Sequence, residues 1–141
     1  MSGVFVDSSG WIAVAEDSER SHAEAVRYYR QLTANRVPLW TTNYVVWETL
    51  TWLRYHIHHR RAVSFWAMVE AASRLGRLTV EWITPERHEQ AWRIFRDHAD
   101  QRLSLVDCTS FVVARQVETN AVFTFDRDFQ TMGFTTEPGV G

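Results

Sequence analysis

Residues 4–15 read VFVDSSGWIAVA, and this stretch decides the fold class. The first four residues, VFVD, are apolar up to Asp7 and are followed by SSG, which is typical of a short buried strand that ends in a turn. An apolar strand without alternation is characteristic of a parallel sheet that is covered on both faces. The stretch therefore predicts a buried strand over 4–7 with a carboxylate at its carboxyl end.

The rest of the chain alternates helical patterns with further short strands. Strands are predicted at LWTT (39–42), LTVEWI (78–83), AVFTFD (121–126) and GFTT (133–136). Helices are predicted from Ser21, where Glu24 completes an S-x-x-E capping box, and over 44–57, with Asn43 as the cap. Three more are predicted: one around Phe65 that ends at Gly76, one that starts at Thr84-Pro85, and one over 104–116. Strands that alternate with helices predict an α/β fold with a central parallel sheet.

Length and composition limit the class of protein. A chain of 141 residues suits a single domain over 1–141, and 45% hydrophobic with 23% charged residues is typical of a soluble globular protein. No apolar run approaches the roughly 20 residues of a membrane span, and the N-terminal ten residues lack the basic region of a secretory signal. Cys108 is the one cysteine, which excludes an intrachain disulfide. These features predict a cytoplasmic protein that does not associate with membranes.

Seven tryptophans are a high count for this length. Trp47, Trp52, Trp66 and Trp92 all fall within apolar patterns of helical spacing. The sequence therefore predicts that these four side chains belong to the core.

Four acidic residues interrupt otherwise apolar stretches of the sequence. They are Asp7 in VFVDSSGW, Glu48 in YVVWETLTWL, Asp107 in LSLVDCTSF and Asp126 in AVFTFDRDF. Carboxylates are rarely buried unless they are paired or bind metal, so four in such settings suggest a shared site. Asp7 and Asp126 end predicted strands, at the sheet edge where α/β proteins place their sites. The set predicts a centre for a hard divalent cation that cuts a phosphodiester.

Each acid also has a structural alternative. Asp7 could cap the turn after its strand. Glu48 could pair with an arginine, although its apolar helix offers a carboxylate little. Asp107 could be a helix N-cap if its helix starts later, a role that is compatible with metal binding. Asp126 could open a turn and leave Asp128 to cap the short helix that follows, so the assignment of Asp128 stays open between these roles.

The basic residues narrow the choice of chemistry. All 15 are arginines, since the chain contains no lysine, which argues against P-loop chemistry and against a phosphotransferase with Asp126 as nucleophile. A net charge of -2 argues mildly against binding nucleic acid by bulk charge, but less against a nuclease whose metal ions supply positive charge. The dense basic run at 54–61 is interpreted as a solvated helix end, with an RNA contact as the alternative.

The four acidic segments, in their order VFVDSS, TTNYVVWETL, LSLVDCTSF and FTFDRDF, resemble those of the PIN-domain ribonucleases, and the closest similarity is to the VapC-type toxins of prokaryotic toxin–antitoxin pairs. The resemblance covers essentially the whole chain. It implies a three-layer α/β/α fold and an endoribonuclease that depends on Mg²⁺ or Mn²⁺. It also implies a homodimer that a small cognate antitoxin neutralises.

The resemblance also implies functional roles for individual residues. Asp7, Glu48, Asp107 and Asp126 fall on the catalytic acids, and the metal ligands are Asp7, Asp107, Asp126 and Asp128. Ser8 is assigned to substrate binding because a Ser or Thr commonly follows the first Asp in the family. Arg115, two turns beyond Asp107 on the same predicted helix, is assigned to substrate binding from its position, with a surface residue as the alternative. Phe125 stands where a polar or basic residue is frequent, a difference that affects substrate contacts rather than metal binding. The alternative function is a PIN-like module that binds RNA or protein without cutting.

Overall fold

The structure is a computed structural model that describes residues 3–139. Over this range the chain forms five strands and seven helices. In chain order they are β1 (Val4–Val6), α1 (Ser8–Ala15), α2 (His22–Ala34), β2 (Leu39–Thr42), α3 (Asn43–His56), α4 (His59–Arg74), β3 (Leu78–Glu81), α5 (Pro85–Asp97), α6 (Leu105–Gln116), β4 (Ala121–Thr124), α7 (Arg127–Thr131) and β5 (Thr136–Pro138).

The five strands form one parallel sheet in the order β3-β2-β1-β4-β5. From β1 the chain winds outward to β2 and β3, and then returns to the other side of β1 as β4 and β5. The gap between β1 and β4 is therefore the switch point of the sheet, where α/β proteins open a crevice at the carboxyl ends of the strands. The helices flank the sheet in a three-layer α/β/α arrangement, so the predicted fold class is confirmed.

The central strands are as buried as their composition predicts. Phe5 and Val6 of β1 and Val122 and Phe123 of β4 have no exposed surface. Phe111 of α6 is also fully buried, and its ring contacts those of Phe129 and Phe134. Each such side chain contributes roughly 1.5–3 kcal/mol by leaving water, so this part of the sheet is the rigid base that positions the carboxyl edge.

Helix α1 was not predicted, because the SSG that follows Asp7 was interpreted as a turn. The strand ends at Val6, and Asp7 is the extended N-cap residue of α1. The helix presents no one-sided apolar pattern, since it packs against protein on several sides. Gly10 makes this possible: a Cβ added there would lie 2.6 Å from the carbonyl oxygen of Phe123, so only glycine lets α1 approach β4 this closely.

Several smaller predictions about helix ends and strands are settled by the structure. The capping box of Ser21 and Glu24 is wrong, since the Ser21 side chain makes no capping hydrogen bond. Thr42, not Asn43, caps α3: its Oγ1 accepts from the Val45 amide at 3.0 Å. The predicted Thr84-Pro85 start of α5 is confirmed, and the last strand lies at Thr136–Pro138, beyond most of the predicted GFTT.

The prediction that four helical tryptophans belong to the core is wrong for three of them. Trp47, Trp66 and Trp92 are 49%, 43% and 42% exposed, and Trp52 is partly buried. The fully buried tryptophan of residues 3–139 is Trp11, in the helix that the sequence did not reveal. Apolar spacing shows that a helix has an apolar face, but not whether the protein itself covers that face.

Across residues 3–139, no helix has the length and apolar character needed to cross a bilayer.

Candidate metal centre

The two strands at the switch point bring the first and last acids together. Asp7 directly follows β1, and Asp126 lies two residues beyond β4. Since Val6 and Phe123 are paired in the parallel register, both acids emerge at the same edge of the sheet. The sequence prediction that strand ends place these two residues at the site-bearing edge is confirmed.

Asp107 reaches the same edge from the first turn of α6. The N-cap of this helix is Ser104, whose Oγ accepts from the Asp107 amide at 2.9 Å, while Asp107 Oδ2 accepts from the Ser104 amide at 3.1 Å. The alternative of Asp107 as N-cap is therefore wrong. Burial raises the pKa of Asp107 to about 6, an effect that the Ser104 hydrogen bonds oppose and the charges of Asp126 and Glu48 increase.

Asp126 and Asp128 share the short helix α7. Asp126 is its N-cap, and Asp126 Oδ1 accepts from the Asp128 amide at 2.9 Å. The alternative in which Asp128 caps this helix is therefore wrong, and Asp128 lies in its first turn. Burial, followed by the neighbouring carboxylate of Asp126, raises the pKa of Asp128.

Three of the acids form a compact group of oxygens. Asp107, Asp126 and Asp128 each place one carboxylate oxygen within 4.8 Å of the other two. Carboxylates this close repel one another unless they are protonated or share a cation. Hard divalent ions prefer such oxygen ligands, so the donor set fits Mg²⁺ or Mn²⁺.

Asp7, also predicted as a metal ligand, is not part of this group of oxygens, although the charge of Asp107 acts on it, and its two oxygens have different environments. The side chain is 2% exposed, and Oδ2 accepts from the Thr124 hydroxyl at 3.0 Å and from the Ser9 hydroxyl at 3.2 Å. Oδ1 is buried and accepts no hydrogen bond from any residue of 3–139. Burial, then the charge of Asp107, raises the pKa of Asp7 to about 7. A buried carboxylate oxygen without a donor also fits a bound cation.

Ser9 and Thr124 support this arrangement, and the sequence analysis missed both. The two hydroxyls also accept from the backbone: Ser9 Oγ from the Phe125 amide at 2.9 Å, and Thr124 Oγ1 from the Asp126 amide at 3.0 Å. They therefore tie Asp7 to the turn that carries Asp126. Thr124 had a signal in the sequence, since it is a polar residue at the carboxyl end of an otherwise apolar strand.

Glu48 faces the centre from α3 and is half-buried. Its charge raises the pKa values of both Asp7 and Asp107, so it lies within electrostatic range of the two. Among residues 3–139 no ion pair with an arginine forms at Glu48, and the alternative of a salt bridge is wrong. The structure thus brings all five predicted acids to one edge of the sheet.

The two residues assigned to substrate lie at different distances from the acids. Ser8 is the first residue of α1, next to Asp7, and it is Ser9 whose hydroxyl bonds that carboxylate. Arg115 is eight residues from Asp107, about 12 Å along the helix axis. Its guanidinium lies 5.3 Å from the Phe134 ring centroid and donates to the Met132 carbonyl at 3.2 Å. The structure does not bring Arg115 to the carboxylates.

The parallel sheet with its acidic edge defines the class. The model of the PIN domain family matches residues 4–135, and the chain belongs to this family. It is 37% identical over 133 residues to a protein of Mycobacterium tuberculosis named 23S rRNA-specific endonuclease VapC20, covering 93% of this chain and 95% of that one. The same relative is matched in two strains of that organism.

The solved structures give the same answer. The crystal structure of Mycobacterium tuberculosis VapC20, described as a sarcin–ricin loop cleaving toxin, is similar with a TM-score of 0.80 and 36% identity, covering 94% of this chain and 96% of that one. The family predicted from the sequence, PIN-domain ribonucleases of the VapC type, is confirmed. The predicted enzyme class is confirmed with it: the chain is a PIN-domain endonuclease of the toxin class.

Proposed function

We propose that this chain hydrolyses RNA with a divalent cation held by Asp107, Asp126 and Asp128, next to Asp7. The observation that carries this proposal is the group of three carboxylate oxygens within 4.8 Å of one another at the switch point of the sheet. Bound Mg²⁺ or Mn²⁺ supplies Lewis-acid polarisation of the phosphate and lowers the pKa of water. Mg²⁺ is the proposed physiological ion, and Mn²⁺ is its substitute in assays.

Asp7 and Glu48 have separate proposed roles beside the metal ligands. The hydrogen bonds from Ser9 and Thr124 occupy one oxygen of Asp7, so Oδ1 would be the oxygen available to a bound cation. Glu48 is half-buried and forms no ion pair with any residue of 3–139, so its carboxylate is available to orient a water and accept its proton, or to bind the cation through water. Burial of the acids limits competing hydration and strengthens these electrostatic interactions.

The proposed substrate is ribosomal RNA of the large subunit. Support comes from the relative, whose name specifies 23S rRNA and whose structure is described as that of a sarcin–ricin loop cleaving toxin. Similarity extends over 93% of this chain and 95% of the relative, so nearly the whole length of the relative has a counterpart here. Ser8, beside Asp7, and Arg115, on the outer end of α6, are the proposed substrate contacts.

Four further properties complete the proposal. A cognate antitoxin neutralises the enzyme, and the active form is a homodimer. Support for the dimer is the exposed aromatic surface on α5, where Trp92 and Phe95 are 42% and 38% exposed and their rings stack at 5.5 Å. Ribosomal RNA as substrate implies a cytoplasmic location. Residues 1–141 are proposed to act as a single PIN domain.

Asp126→Asn tests the metal centre. Incubated with total RNA and Mn²⁺, the wild type should produce discrete new ends that EDTA suppresses, while Asp126→Asn should lose at least about 100-fold of this activity. Its Mn²⁺ affinity, measured by calorimetry, should fall as well. Glu86→Gln, at an exposed carboxylate of α5, is the matched control and should keep both. RNA binding without cleavage by the wild type would favour a non-catalytic PIN-like module.

A further inference from the structure

One side of α3 carries a row of aromatic side chains, of which Tyr44 and Trp52 pack partly against the core while Trp47 and Tyr55 are exposed. Tyr44, Trp47, Trp52 and Tyr55 follow one another at intervals of three to five residues and share one side of the helix. Trp47 is 49% exposed and Tyr55 is 81% exposed. Large exposed apolar surfaces of this kind mark interaction sites.

These side chains form one wall of a groove that opens on the metal centre. The groove has a volume of about 470 Å³ and is lined by Tyr44, Trp47, Glu48, Thr51, Trp52, Tyr55, His56 and Val106. Glu48, one of the lining residues, is the carboxylate whose charge acts on Asp7 and Asp107. Val106, another lining residue, immediately precedes Asp107. A molecule in this α3 groove therefore lies beside Glu48 and close to the start of the segment that carries Asp107.

The other flank of the centre has a different chemistry. A polar cavity beside Asp126 is lined by Ser9 and Phe125, by two arginines, Arg20 and Arg127, and by one further carboxylate, Glu24. A smaller cavity that Trp52 and Phe125 both line connects it with the α3 groove. The path across the carboxyl edge thus runs from aromatic rings, past the carboxylates, to guanidinium groups.

We propose that the α3 groove binds unpaired RNA bases next to the scissile phosphate, an inference that rests on the proposed function. A strand whose phosphate lies at the acids must place its neighbouring nucleotides on the two flanks. The α3 groove offers ring faces but no arginine among its lining residues, so it suits bases rather than phosphates. The polar cavity offers Arg20 to the backbone on the other side.

Stacking on aromatic rings requires bases that are not paired within a helix. Every base presents a π-face, so such a platform tolerates many sequences while it rejects a regular duplex. The α3 groove therefore makes the enzyme selective for loops and single strands. Phe125 lines both the smaller cavity and the polar cavity, so it extends the aromatic lining toward the arginines.

The test measures RNA binding without cleavage. In an Asp126→Asn background with Mg²⁺, the affinity for a fluorescein-labelled 12-nucleotide single strand is compared with that for its duplex. Tyr55→Leu keeps an apolar side chain but removes the ring, whereas Tyr55→Phe keeps the ring. Tyr55 makes no ring contact with any residue of 3–139 and is 81% exposed, so both variants should fold. Trp66→Leu, at an exposed tryptophan of α4 outside the groove, is the matched control.

Tyr55→Leu should weaken single-strand binding by about tenfold, with Tyr55→Phe and Trp66→Leu unchanged and the duplex bound more weakly than the single strand. Equal effects of Tyr55→Leu and Trp66→Leu, or equal binding of the duplex, would overturn the proposal. The proposal would also be overturned if Tyr55→Leu dissociated a dimer in sedimentation experiments while the RNA affinity stayed unchanged. That result would assign the groove to contact with a second copy of the chain. Ring-dependent binding by a wild type that cuts no RNA would refute the proposed function alone.

Discussion

The hydroxyl of Thr124 donates to Asp7 Oδ2 at 3.0 Å, a bond between two buried side chains that are 117 positions apart. Thr124 ends β4 and Asp7 follows β1, so the bond spans the switch point of the sheet. It determines which carboxylate oxygen is satisfied by the protein, and Oδ1 is left without a donor. The metal centre is therefore oriented by a residue that carries no charge.

Thr124→Val should damage the centre while it preserves the shape of the side chain. The change removes a hydrogen bond to a carboxylate and leaves the Asp126 amide without its acceptor, which costs about 1–3 kcal/mol of the free energy of unfolding. Urea unfolding of the metal-free protein measures this loss, and a calorimetric titration should show weaker Mn²⁺ binding. Thr124→Ser keeps the hydroxyl and should retain most of both properties; equal losses in the two variants would contradict the hydrogen-bonding role.

The metal-free protein should lose stability as the pH rises. Folded Asp7 has a pKa of about 7 against 3.8 for the model carboxyl, so the folded state holds this proton more tightly. The resulting stabilisation is complete below pH 3.8 and is lost as the pH rises through about 7. Its size is of the order of 4 kcal/mol as an upper limit. Unfolding in EDTA between pH 5 and roughly pH 9 measures the slope.

Asp7→Asn isolates this contribution from those of the other carboxyls. The variant cannot ionise at this position, so its free energy of unfolding should vary less with pH and should exceed that of the wild type above pH 7 in EDTA. Saturating Mn²⁺ should reverse the order, because only the wild type gains the full binding energy of the cation. A variant that is less stable than the wild type at every pH in EDTA would show that the ionised Asp7 carboxylate does not destabilise the metal-free protein.

Glu48→Gln should change the pKa values of two other acids, Asp7 and Asp107, through the loss of a charge. Its charge raises the pKa values of Asp7 and Asp107, so removing that charge should lower both. Carboxyl chemical shifts in a ¹³C NMR titration of the metal-free protein measure the change. RNA cleavage should fall by about 100-fold or more if Glu48 accepts the proton. Glu89→Gln, at an exposed carboxylate of α5, should leave the pKa values and the cleavage rate unaltered.

Gly10→Ala should reverse the usual effect of this substitution. In an exposed helix interior, alanine is about 1 kcal/mol more favourable than glycine. At Gly10 the new Cβ would lie 2.6 Å from the Phe123 carbonyl oxygen, so α1 must move away from β4. We expect a loss of roughly 1–3 kcal/mol, measured by urea unfolding, together with weaker Mn²⁺ binding because Asp7 caps α1. A stabilised variant would mean that α1 does not pack as closely as described.

The sequence was most informative where burial and chemistry conflict. Asp7 and Asp126 were predicted at the sheet edge because a strand that is buried on both faces has only its end at which to present a carboxylate. It was least informative where a residue's role depends on distant neighbours. Ser9 and Thr124 are ordinary hydroxyl residues until the pairing of β1 with β4 brings them to the same carboxylate oxygen.

Helix α1 and the tryptophans show that sequence patterns also fail to predict how helices pack. The segment SSGWIAVA is helical although its SSG is typical of a turn, because its apolar residues contact protein on several sides. Trp47 and Trp66 have the spacing of core residues, yet they lie on the surface. Spacing along a helix depends on local geometry alone, whereas exposure depends on which elements pack against it.

The sequence by itself determined the parallel α/β class and the family, because both depend on residue type and order along the chain. It also predicted Asp7, Glu48, Asp107 and Asp126 as site residues and left the role of Asp128 open. Only the tertiary structure decided that carboxylate oxygens of Asp107, Asp126 and Asp128 lie within 4.8 Å of one another. It also decided that Oδ1 of Asp7 has no hydrogen-bond donor among residues 3–139, and that Glu48 lines an aromatic groove. The physical reason is that hydrogen-bond and electrostatic energies vary over a few ångströms. Such distances between remote residues are fixed by how the helices and strands pack, not by their separation in sequence.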